Sequence, residues 1–199
     1  MTRATQGEAD ERRIDFTATA GRLVRAAAAE FRRHGFAGTD TNKIARRAGF
    51  APQTFYRWFP DKRAIFLAVY RRFEEDELQM LREMVSERAA AAQIAAAVVA
   101  HHRKYQRFRR SLRQLSLEAG AVRKARAQSR RRQIERIGQL AQLAPGQRGA
   151  VAAALLQIER LADALAEREL KDLGFGEAET RLALEELIRA LQPATQRSR

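Results

Sequence analysis

Glycine and proline are few in this chain, and helix formers fill nearly every window between them. The 199 residues include 11 Gly and 4 Pro, runs of β-branched residues are absent, and Ala, Leu, Arg and Glu dominate. These four residue types enter a helix at low cost in free energy. The sequence therefore predicts an all-α protein of about nine helices.

Glycines and prolines in the first third of the chain predict three short helices. Apolar residues at helical spacing predict a first helix over 17–34, which ends at Gly35 because a glycine commonly follows the last turn. A second helix over 39–48 closes at another glycine. Pro52 suits the first position of a third helix, where its missing amide hydrogen would be unpaired anyway. This third helix lasts about two turns, since Pro60 resets the chain.

Longer helices are predicted beyond residue 60, with Asp61 as the expected N-cap of the first of them. Apolar residues three and four apart recur through most of this region, as in helices that bury one face. The first 16 residues lack this periodicity and predict a mobile arm. The predicted long spans are 61–87, 89–117, 122–143, 151–165 and a last helix around 184–191 that follows a turn at 174–176.

The chain is strongly basic. Its 38 Lys and Arg against 24 Asp and Glu give a net charge of +14, and residues 101–136 alone hold 13 basic and two acidic residues. This charge favours polyanionic partners such as nucleic acid or an anionic membrane surface. The arginines of 101–117 fall mostly opposite the apolar side of a helix. A solvated face is the simplest interpretation, and contact with an anionic ligand, DNA or a membrane is the alternative.

Several classes of site are disfavoured by composition. Cysteine is absent, so disulfides, thiolate nucleophiles and cysteine metal sites are excluded. No apolar run approaches the roughly 18 residues that span a bilayer, and the charged N-terminus is unlike a secretory signal. We therefore expect a soluble cytoplasmic protein with no membrane partner. His101 and His102 point about 100° apart on a helix and are a poor metal pair, so no metal or cofactor is predicted.

Two short helices joined by a glycine turn between residues 39 and 59 have the dimensions of a helix-turn-helix. The stretch GFAGTDTNKIARRAGFAPQTFYRWFPDKRAIFLAV, residues 35–69, resembles the DNA-binding domain of TetR-family transcriptional repressors. The elements that match the family pattern in order and spacing are Gly35-Phe36, Thr39, Ile44-Ala45, Ala48-Gly49, Thr54-Phe55-Tyr56, Phe59 and Lys62.

This resemblance implies a domain organisation. A helix-turn-helix DNA-binding domain would occupy 17–70, and a larger helical domain for ligand binding and dimerisation would occupy 71–199. The resemblance also implies that two helices meet near 105–108, although the apolar periodicity passes through that region without a break.

Four residues are candidates for contact with the DNA backbone. Thr39 and Thr41 lie where the second helix begins, so their hydroxyls and the free amide hydrogens there can bind phosphate. The phenol of Tyr56 and the ammonium of Lys62 can each reach a phosphate oxygen. The alternative for Thr39 is a helix cap with no other role.

Four further candidates for DNA contact lie on the predicted third helix, which a helix-turn-helix uses as its recognition helix. Gln53 and Thr54 lie in its first turn, which would meet base edges, and Arg57 is the other candidate reader. Trp58 either packs on the backbone sugar or on the domain itself. Ala51 is the expected N-cap, where the family frequently has Ser. Alanine is a poor cap, which leaves the transferred base contacts at 51–53 less well supported.

The remaining aromatic residues of this helix have a structural interpretation. Phe55 and Phe59 are four residues apart and share a helix face, so they are predicted to close the core of the small domain. Phe50, in the preceding turn, is predicted to pack inward.

Polar residues on the inner sides of the middle helices are candidates for lining a ligand cavity. These are His101, Tyr105, Arg109, Gln133 and Arg136. His101 lies within an apolar face, where a polar ring needs a partner, and the alternative is a core histidine whose hydrogen bonds are satisfied.

The expected function is that of a homodimeric regulator, in the simplest case a repressor. It would bind a palindromic operator in double-stranded DNA and release it when a small-molecule effector binds. The resemblance implies dimerisation through the last two helices, whose apolar faces would form a four-helix bundle with their copies. No site constellation indicates an enzyme. The alternative is a basic helical protein that binds nucleic acid or anionic membrane non-specifically through 101–136.

Overall fold

The computed structural model describes residues 19–142 and 144–192. These residues form α-helices and one short 3-10 helix, Pro145–Gln147, without any strand, which confirms the all-α prediction. The predicted arm over 1–16 lies outside the described residues. The helices are α1 Thr19–His34, α2 Thr41–Arg47, α3 Pro52–Tyr56, α4 Lys62–Ser86, α5 Ala91–Lys104, α6 Gln106–Glu118, α7 Gly120–Leu140, α8 Arg148–Glu167, α9 Glu169–Asp172 and α10 Ala178–Leu191.

The chain divides into an N-terminal unit that ends at Arg71 and a C-terminal unit that begins at Arg72. Helix α4 supplies residues to both. In the N-terminal unit, Leu23, Phe31 and Phe55 are fully buried together with Phe66 of α4. The rings of Phe31 and Phe66 meet edge to face with their centres 5.2 Å apart. Large rings from α1, α3 and α4 thus close this core around α2.

The turn between α2 and α3 depends on Gly49. Its φ of +77° is left-handed, which glycine adopts without the steric cost of a Cβ. The amide of Phe50 donates to the carbonyl of Ala45 at 2.9 Å, which closes α2 in a Schellman motif. Arg22 of α1 donates to the carbonyl of Ala48 at 2.8 Å and lies over the Phe50 ring, 4.4 Å from its centre. Helix α1 therefore holds the turn that aims α3.

The core of the C-terminal unit lies between α5, α8 and α10. Ile94 of α5 is buried in one cluster with Ile158 and Leu165 of α8 and with Leu184 and Ile188 of α10. Many of the apolar residues that predicted a bundle with a second subunit are therefore already buried within one chain, and Leu161 and Leu187 are partly buried against them. An interface through α8 and α10 would have to use their other faces.

One predicted helix is two helices in the structure. The expected span 89–117 is interrupted at Tyr105, whose dihedral angles, φ −110° and ψ 16°, leave the helical range between α5 and α6. The hydrogen bonds from Tyr105 to His101 and from Arg109 to Tyr105 persist, at 3.1 and 2.9 Å. Only Tyr105 leaves the helical conformation, so the apolar residues on either side keep their helical spacing. The periodicity of the sequence therefore did not reveal the break between α5 and α6. The family resemblance, which implied two helices near 105–108, was the better guide.

Among the described residues, no helix combines the length and the apolar character that crossing a membrane requires.

Candidate DNA interface and ligand cavity

Helix α3 buries two rings and exposes the side chains beside them. Phe55 is fully buried and Phe59 keeps 8% of its surface exposed, as predicted for core residues. Tyr56 and Trp58 are 56% and 51% exposed. Trp58 therefore lies on the surface of the domain. The exposed residues of this segment that were predicted to contact DNA are Gln53, Tyr56, Arg57 and Trp58, and Thr54 is half-buried beside them.

The exposed hydroxyl groups of α2 and α3 are joined. Thr41 at the start of α2 and Tyr56 at the end of α3 share a hydrogen bond of 2.9 Å between their hydroxyl oxygens. Either oxygen can be the donor. This bond fixes the phenol of Tyr56 beside the N-terminal end of α2 and leaves both hydroxyls at the surface.

Thr39 does not cap α2. The N-cap is Asp40, whose Oδ1 accepts a hydrogen bond of 2.7 Å from the amide of Lys43. Thr39 is 3% exposed, and its hydroxyl is buried without a hydrogen-bond partner among the described residues. The prediction of a Thr39 cap is therefore wrong, because the next residue along the chain supplies the cap. In this conformation the Thr39 hydroxyl does not face solvent, where a phosphate would lie.

Lys62 is engaged inside the N-terminal unit. Its ammonium donates to the carbonyls of Phe36 at 2.9 Å and Thr39 at 2.8 Å, and it lies 4.1 Å from the centre of the Phe36 ring. Burial lowers the pKa of Lys62, while the nearby carboxylate of Asp40 opposes that shift. Two of its three donors are thus used on the segment between α1 and α2, and the predicted phosphate contact has one donor left.

Two cations near the turn remain available. Arg46 of α2 and Arg57 after α3 are exposed. Neither guanidinium has a partner within the part of the chain that the structure describes. By contrast, Arg47 pairs with the buried carboxylate of Glu30 at 2.6 Å. The surface around α3 therefore carries positive charge that the chain does not neutralise.

A cavity of about 130 Å³ lies within the C-terminal unit. Its wall is mostly apolar and comes from α4, α5, α7, α8 and α10, with Ile94, Leu155 and Ile158 among the residues that line it. The polar and charged lining residues are Glu77, Arg82, His102, Gln133, Arg136, Glu159 and Gln192.

The structure brings two of the five predicted ligand residues to this cavity. Gln133 and Arg136 line it, whereas His101, Tyr105 and Arg109 do not. His102, which the sequence analysis passed over, lines it instead of His101. The two histidines are neighbours on α5, so an error of one residue, about 100° in helical phase, exchanges them.

His101 and Tyr105 belong to an aromatic cluster around Phe73. The ring centres of His101 and Tyr105 lie 4.9 and 5.1 Å from that of Phe73, and 4.8 Å from each other. Both ring nitrogens of His101 are buried without a hydrogen bond to any described residue. Burial, with the neighbouring His102, Arg109 and Lys104, lowers the pKa of His101 to about 4. This residue is a neutral core ring, although its hydrogen bonds are not satisfied as the alternative interpretation supposed.

Part of the N-terminal unit matches a known protein family. The family model of bacterial regulatory proteins of the tetR family matches residues 23–69. Residues 23–69 are a TetR-family domain. This match confirms the resemblance that the motifs predicted. The sequence has no significant match among curated proteins.

Solved structures with a similar fold cover most of the chain. A putative TetR-family transcriptional regulator from Mesorhizobium loti is 15% identical, with a TM-score of 0.65, over 90% of this chain and 97% of that one. One from Rhodococcus sp. is 17% identical, with a TM-score of 0.66, over 87% and 98%. The regulator FadR from Bacillus subtilis is 19% identical, with a TM-score of 0.53, over 84% and 96%. The described residues therefore have a TetR-like fold over most of their length.

Next to the cavity, a buried carboxylate binds one histidine and two arginines. Asp163 of α8 accepts hydrogen bonds of 2.8 Å from His102 Nδ1 and from Arg109 Nε, and it also pairs with Arg113. Burial would raise the pKa of Asp163, but the hydrogen bond from His102 and the charge of Arg109 hold it well below its usual range. Since Asp163 is ionised, Nδ1 of His102 carries the hydrogen. Arg109 was predicted to meet a ligand and instead completes this cluster.

Glu77 is the unusual carboxylate of the cavity. It accepts a hydrogen bond of 2.8 Å from Gln133 Nε2, and its other oxygen lies 4.0 Å from Nδ1 of His101. Its side chain is 14% exposed. Burial raises the pKa of Glu77 to about 7, although the charge of Arg109 opposes that shift. No group of three or more His, Asp or Glu within the described ranges is placed to hold a metal ion.

Replacing Lys62 tests its structural role. We expect Lys62→Met to lower the free energy of unfolding of the N-terminal unit by about 1–2 kcal/mol, because two carbonyls lose their donor. Lys43→Met, at an exposed lysine, is the control and should change it by about 0.5 kcal/mol or less. Thermal unfolding by circular dichroism measures both. An unchanged stability together with a salt slope of DNA binding smaller by about 1 would instead assign Lys62 to a phosphate.

Replacing Glu77 tests its raised pKa. Its pKa is 4.5 ordinarily and about 7 in the folded chain, so the folded chain holds a proton that the unfolded chain has lost between these values. This group therefore costs stability as pH rises from 4.5 through 7. We expect Glu77→Gln to gain roughly 1–3 kcal/mol relative to the parent across that range, measured by urea unfolding at several pH values.

The matched control is Glu75→Gln, which removes the same charge from an exposed position of α4. Its difference from the parent should not follow the same course with pH. The charged and polar groups around Glu77 that stay constant in this comparison are His101, Arg109, Gln133, Glu74 and Glu159. A difference for Glu77→Gln that is flat from pH 4 to 8 would contradict the assignment.

Proposed function

We propose that this chain is a dimeric transcriptional regulator that binds a palindromic operator and releases it when a small molecule enters the cavity. The observation that carries the proposal is the exposed surface of α3, which lies in a helix-turn-helix held by the Gly49 turn and by Arg22. Helix-turn-helix proteins place such a helix in the major groove. The match of residues 23–69 to a family of regulatory proteins supports it.

The exposed residues divide by chemistry into two roles. Gln53 and Thr54, in the first turn of α3, are proposed to meet base edges, since a glutamine amide can pair with adenine and a threonine methyl can contact thymine. Arg57, which has no partner among the described residues, is proposed to bind a phosphate or a guanine. Trp58, half exposed beside it, is proposed to pack on the sugar backbone.

The hydroxyl pair is proposed to bind one phosphate. Thr41 and Tyr56 already share a hydrogen bond of 2.9 Å. A phosphate oxygen can accept from the hydroxyl hydrogen that their shared bond does not use. Helix α2 thereby positions the protein on the backbone while α3 faces the bases.

The proposed release follows from α4. Residues near its start, Ile65 and Phe66, are buried in the core of the N-terminal unit. Residues further along the same helix, Glu77, Leu78 and Leu81, line the cavity. A ligand that shifts α4 would therefore act on a helix that contributes residues to both units. To change the population of two conformations, the ligand must bind one position of α4 more tightly than the other.

Small-molecule binding has support from a structural neighbour. The Bacillus subtilis FadR structure holds stearoyl-CoA. The cavity here, about 130 Å³, is below the roughly 300 Å³ at which drug-sized sites begin. The proposed effector is accordingly much smaller than that acyl-CoA.

Dimerisation is proposed through the outer faces of α8 and α10. Leu156 on α8 and Leu182 on α10 are 49% and 59% exposed, although both helices bury their other faces in the chain. Exposed leucines on two neighbouring helices suit a helical interface, and a dimer would present two α3 helices to the halves of a palindrome.

Non-specific binding through residues 101–136 is the less favoured candidate. Arg109 and Arg113 pair with Asp163, Arg126 and Arg130 pair with Glu159, and Arg132 pairs with Glu74. Five of the 13 basic residues that suggested a polyanion-binding face are thus engaged by carboxylates of the chain itself.

Operator binding tests the proposal directly. DNA selected from a random pool should bind at least about 1,000-fold more tightly than random DNA at physiological salt. Arg57→Ala should weaken binding and reduce the slope of log affinity against log salt concentration by about 1 for each protomer if it contacts a phosphate. Tyr56→Phe should weaken binding with a smaller change in slope, because the phenol carries no charge.

The control is Lys171→Ala, which removes one charge from an exposed position of α9, outside the helix-turn-helix. It should leave affinity and slope close to those of the parent chain. Equal affinity for selected and random DNA would support the non-specific alternative instead.

The dimer has its own test. We expect Leu156→Glu and Leu182→Glu each to shift the protein towards monomer in sedimentation velocity, because a carboxylate in an apolar interface loses its hydration. Leu117→Glu, at an 84% exposed leucine of α6, is the control and should sediment like the parent. Unchanged sedimentation of both test variants would place the interface elsewhere.

A further inference from the structure

We infer that the cavity binds a small organic cation with one ammonium group and an apolar body. The ammonium group pairs with Glu77, and the apolar body contacts the apolar side chains that α5, α8 and α10 contribute to the wall. The inference rests on the proposed function in taking the cavity as the effector site. It adds the chemical class of the effector, which the fold does not specify.

The first step is a comparison of four carboxylates of the C-terminal unit, of which Glu77 and Glu159 line the cavity. Glu159 pairs with Arg130 and also with Arg126 at 3.4 Å, and Glu74 pairs with Arg132 at 2.8 Å. Asp163 pairs with Arg109 at 2.8 Å. Glu77 alone among these four has no arginine or lysine of the described chain within 4.0 Å.

The second step is the free energy of that arrangement. A carboxylate removed from water is costly unless a cation or several hydrogen bonds replace its hydration. Glu77 has one hydrogen bond, from Gln133, and faces a histidine whose pKa is lowered to about 4 and which is therefore neutral near pH 7. Arg109 acts on it from a distance but is already bonded to Asp163. The missing countercharge can come from a ligand that enters the cavity.

The third step excludes an anionic ligand. Arg82 and Arg136 also line the cavity, and both are exposed. An anionic head group could reach them only where solvent and salt screen the attraction. It would also leave the largely buried carboxylate of Glu77 without a cation beside it. A cation at Glu77 gains the stronger interaction, because a buried charge is screened less.

The fourth step is size and shape. The apolar wall of the cavity that Glu77 lines includes Ile94, Val98, Leu155 and Ile158. The cavity of about 130 Å³ is close to the roughly 150 Å³ of an apolar cavity that holds one benzene molecule. A ring or a branched chain of about six carbons with one amino group therefore fits the space and the charge.

Three probes with one ring and different head groups test the inference. Benzylamine, benzyl alcohol and benzoate would be titrated calorimetrically into the full chain at pH 8, where Glu77 is mostly ionised, without DNA. We expect benzylamine to bind about tenfold or more tightly than either of the other two. In Glu77→Gln the amine should lose that advantage, to within about twofold of the alcohol, whereas Glu75→Gln should behave like the parent.

Three results would overturn the inference. These are tighter binding of benzoate than of benzylamine, an amine preference that survives in Glu77→Gln, and no binding of any probe at millimolar concentration. Melting curves verify that each variant is folded. Since these titrations contain no DNA, their outcome is separate from operator binding. An amine that binds through Glu77 but leaves operator affinity unchanged would contradict the proposed release and not the ligand class.

Discussion

The C-terminal unit depends on one buried carboxylate, that of Asp163 on α8. It receives His102 from α5 and Arg109 and Arg113 from α6, so three helices meet at a single ionised group. Arg109 is 7% exposed and Asp163 5%. Removing one partner of such a buried pair leaves the other charged and unpaired, which typically costs about 3–5 kcal/mol. The pairing also fixes the positions of α5 and α8, and these two helices carry much of the cavity wall.

The helices were predictable because their apolar residues recur at the spacing of an α-helix. The helix that starts near Asp61 is an example, since the amide of Ala64 donates to Asp61 Oδ1 at 2.8 Å, as expected for its cap. The end of α8 was not predictable. Arg168 adopts a left-handed φ of 63° there, a conformation that glycine or asparagine would signal and arginine does not. A helix boundary that depends on one unusual backbone angle cannot be seen in the spacing of the apolar residues.

The candidate site was predictable where the position of a residue around its helix decides whether its side chain is exposed. Tyr56 and Phe55 are neighbours, and helical phase was enough to separate the exposed phenol from the buried ring. The role of Lys62 was not predictable, because a lysine near a helix start can equally face a phosphate or the carbonyl groups of another segment. That choice is made by the path of the chain around Phe36, 26 residues earlier. Thr39 and Asp40 show the same limit, since both are good caps and only the backbone selects one.

The distribution of charge connects these observations. The net charge of +14 suggested a surface for polyanions along residues 101–136. In the structure, however, several of those arginines form ion pairs with carboxylates of the same chain. Among the groups that this pairing leaves without an oppositely charged partner in the described chain, two sets of different sign concern the proposed function. Arg46 and Arg57 lie on the surface beside α3, where a phosphate backbone would meet them, and Glu77 lies in the cavity, where a cation would. Helix α4 contributes Ile65 and Phe66 to the core that also buries Phe55 of α3, and it carries Glu77 further along, so one continuous helix joins the core beneath the proposed DNA-binding surface to the proposed ligand site.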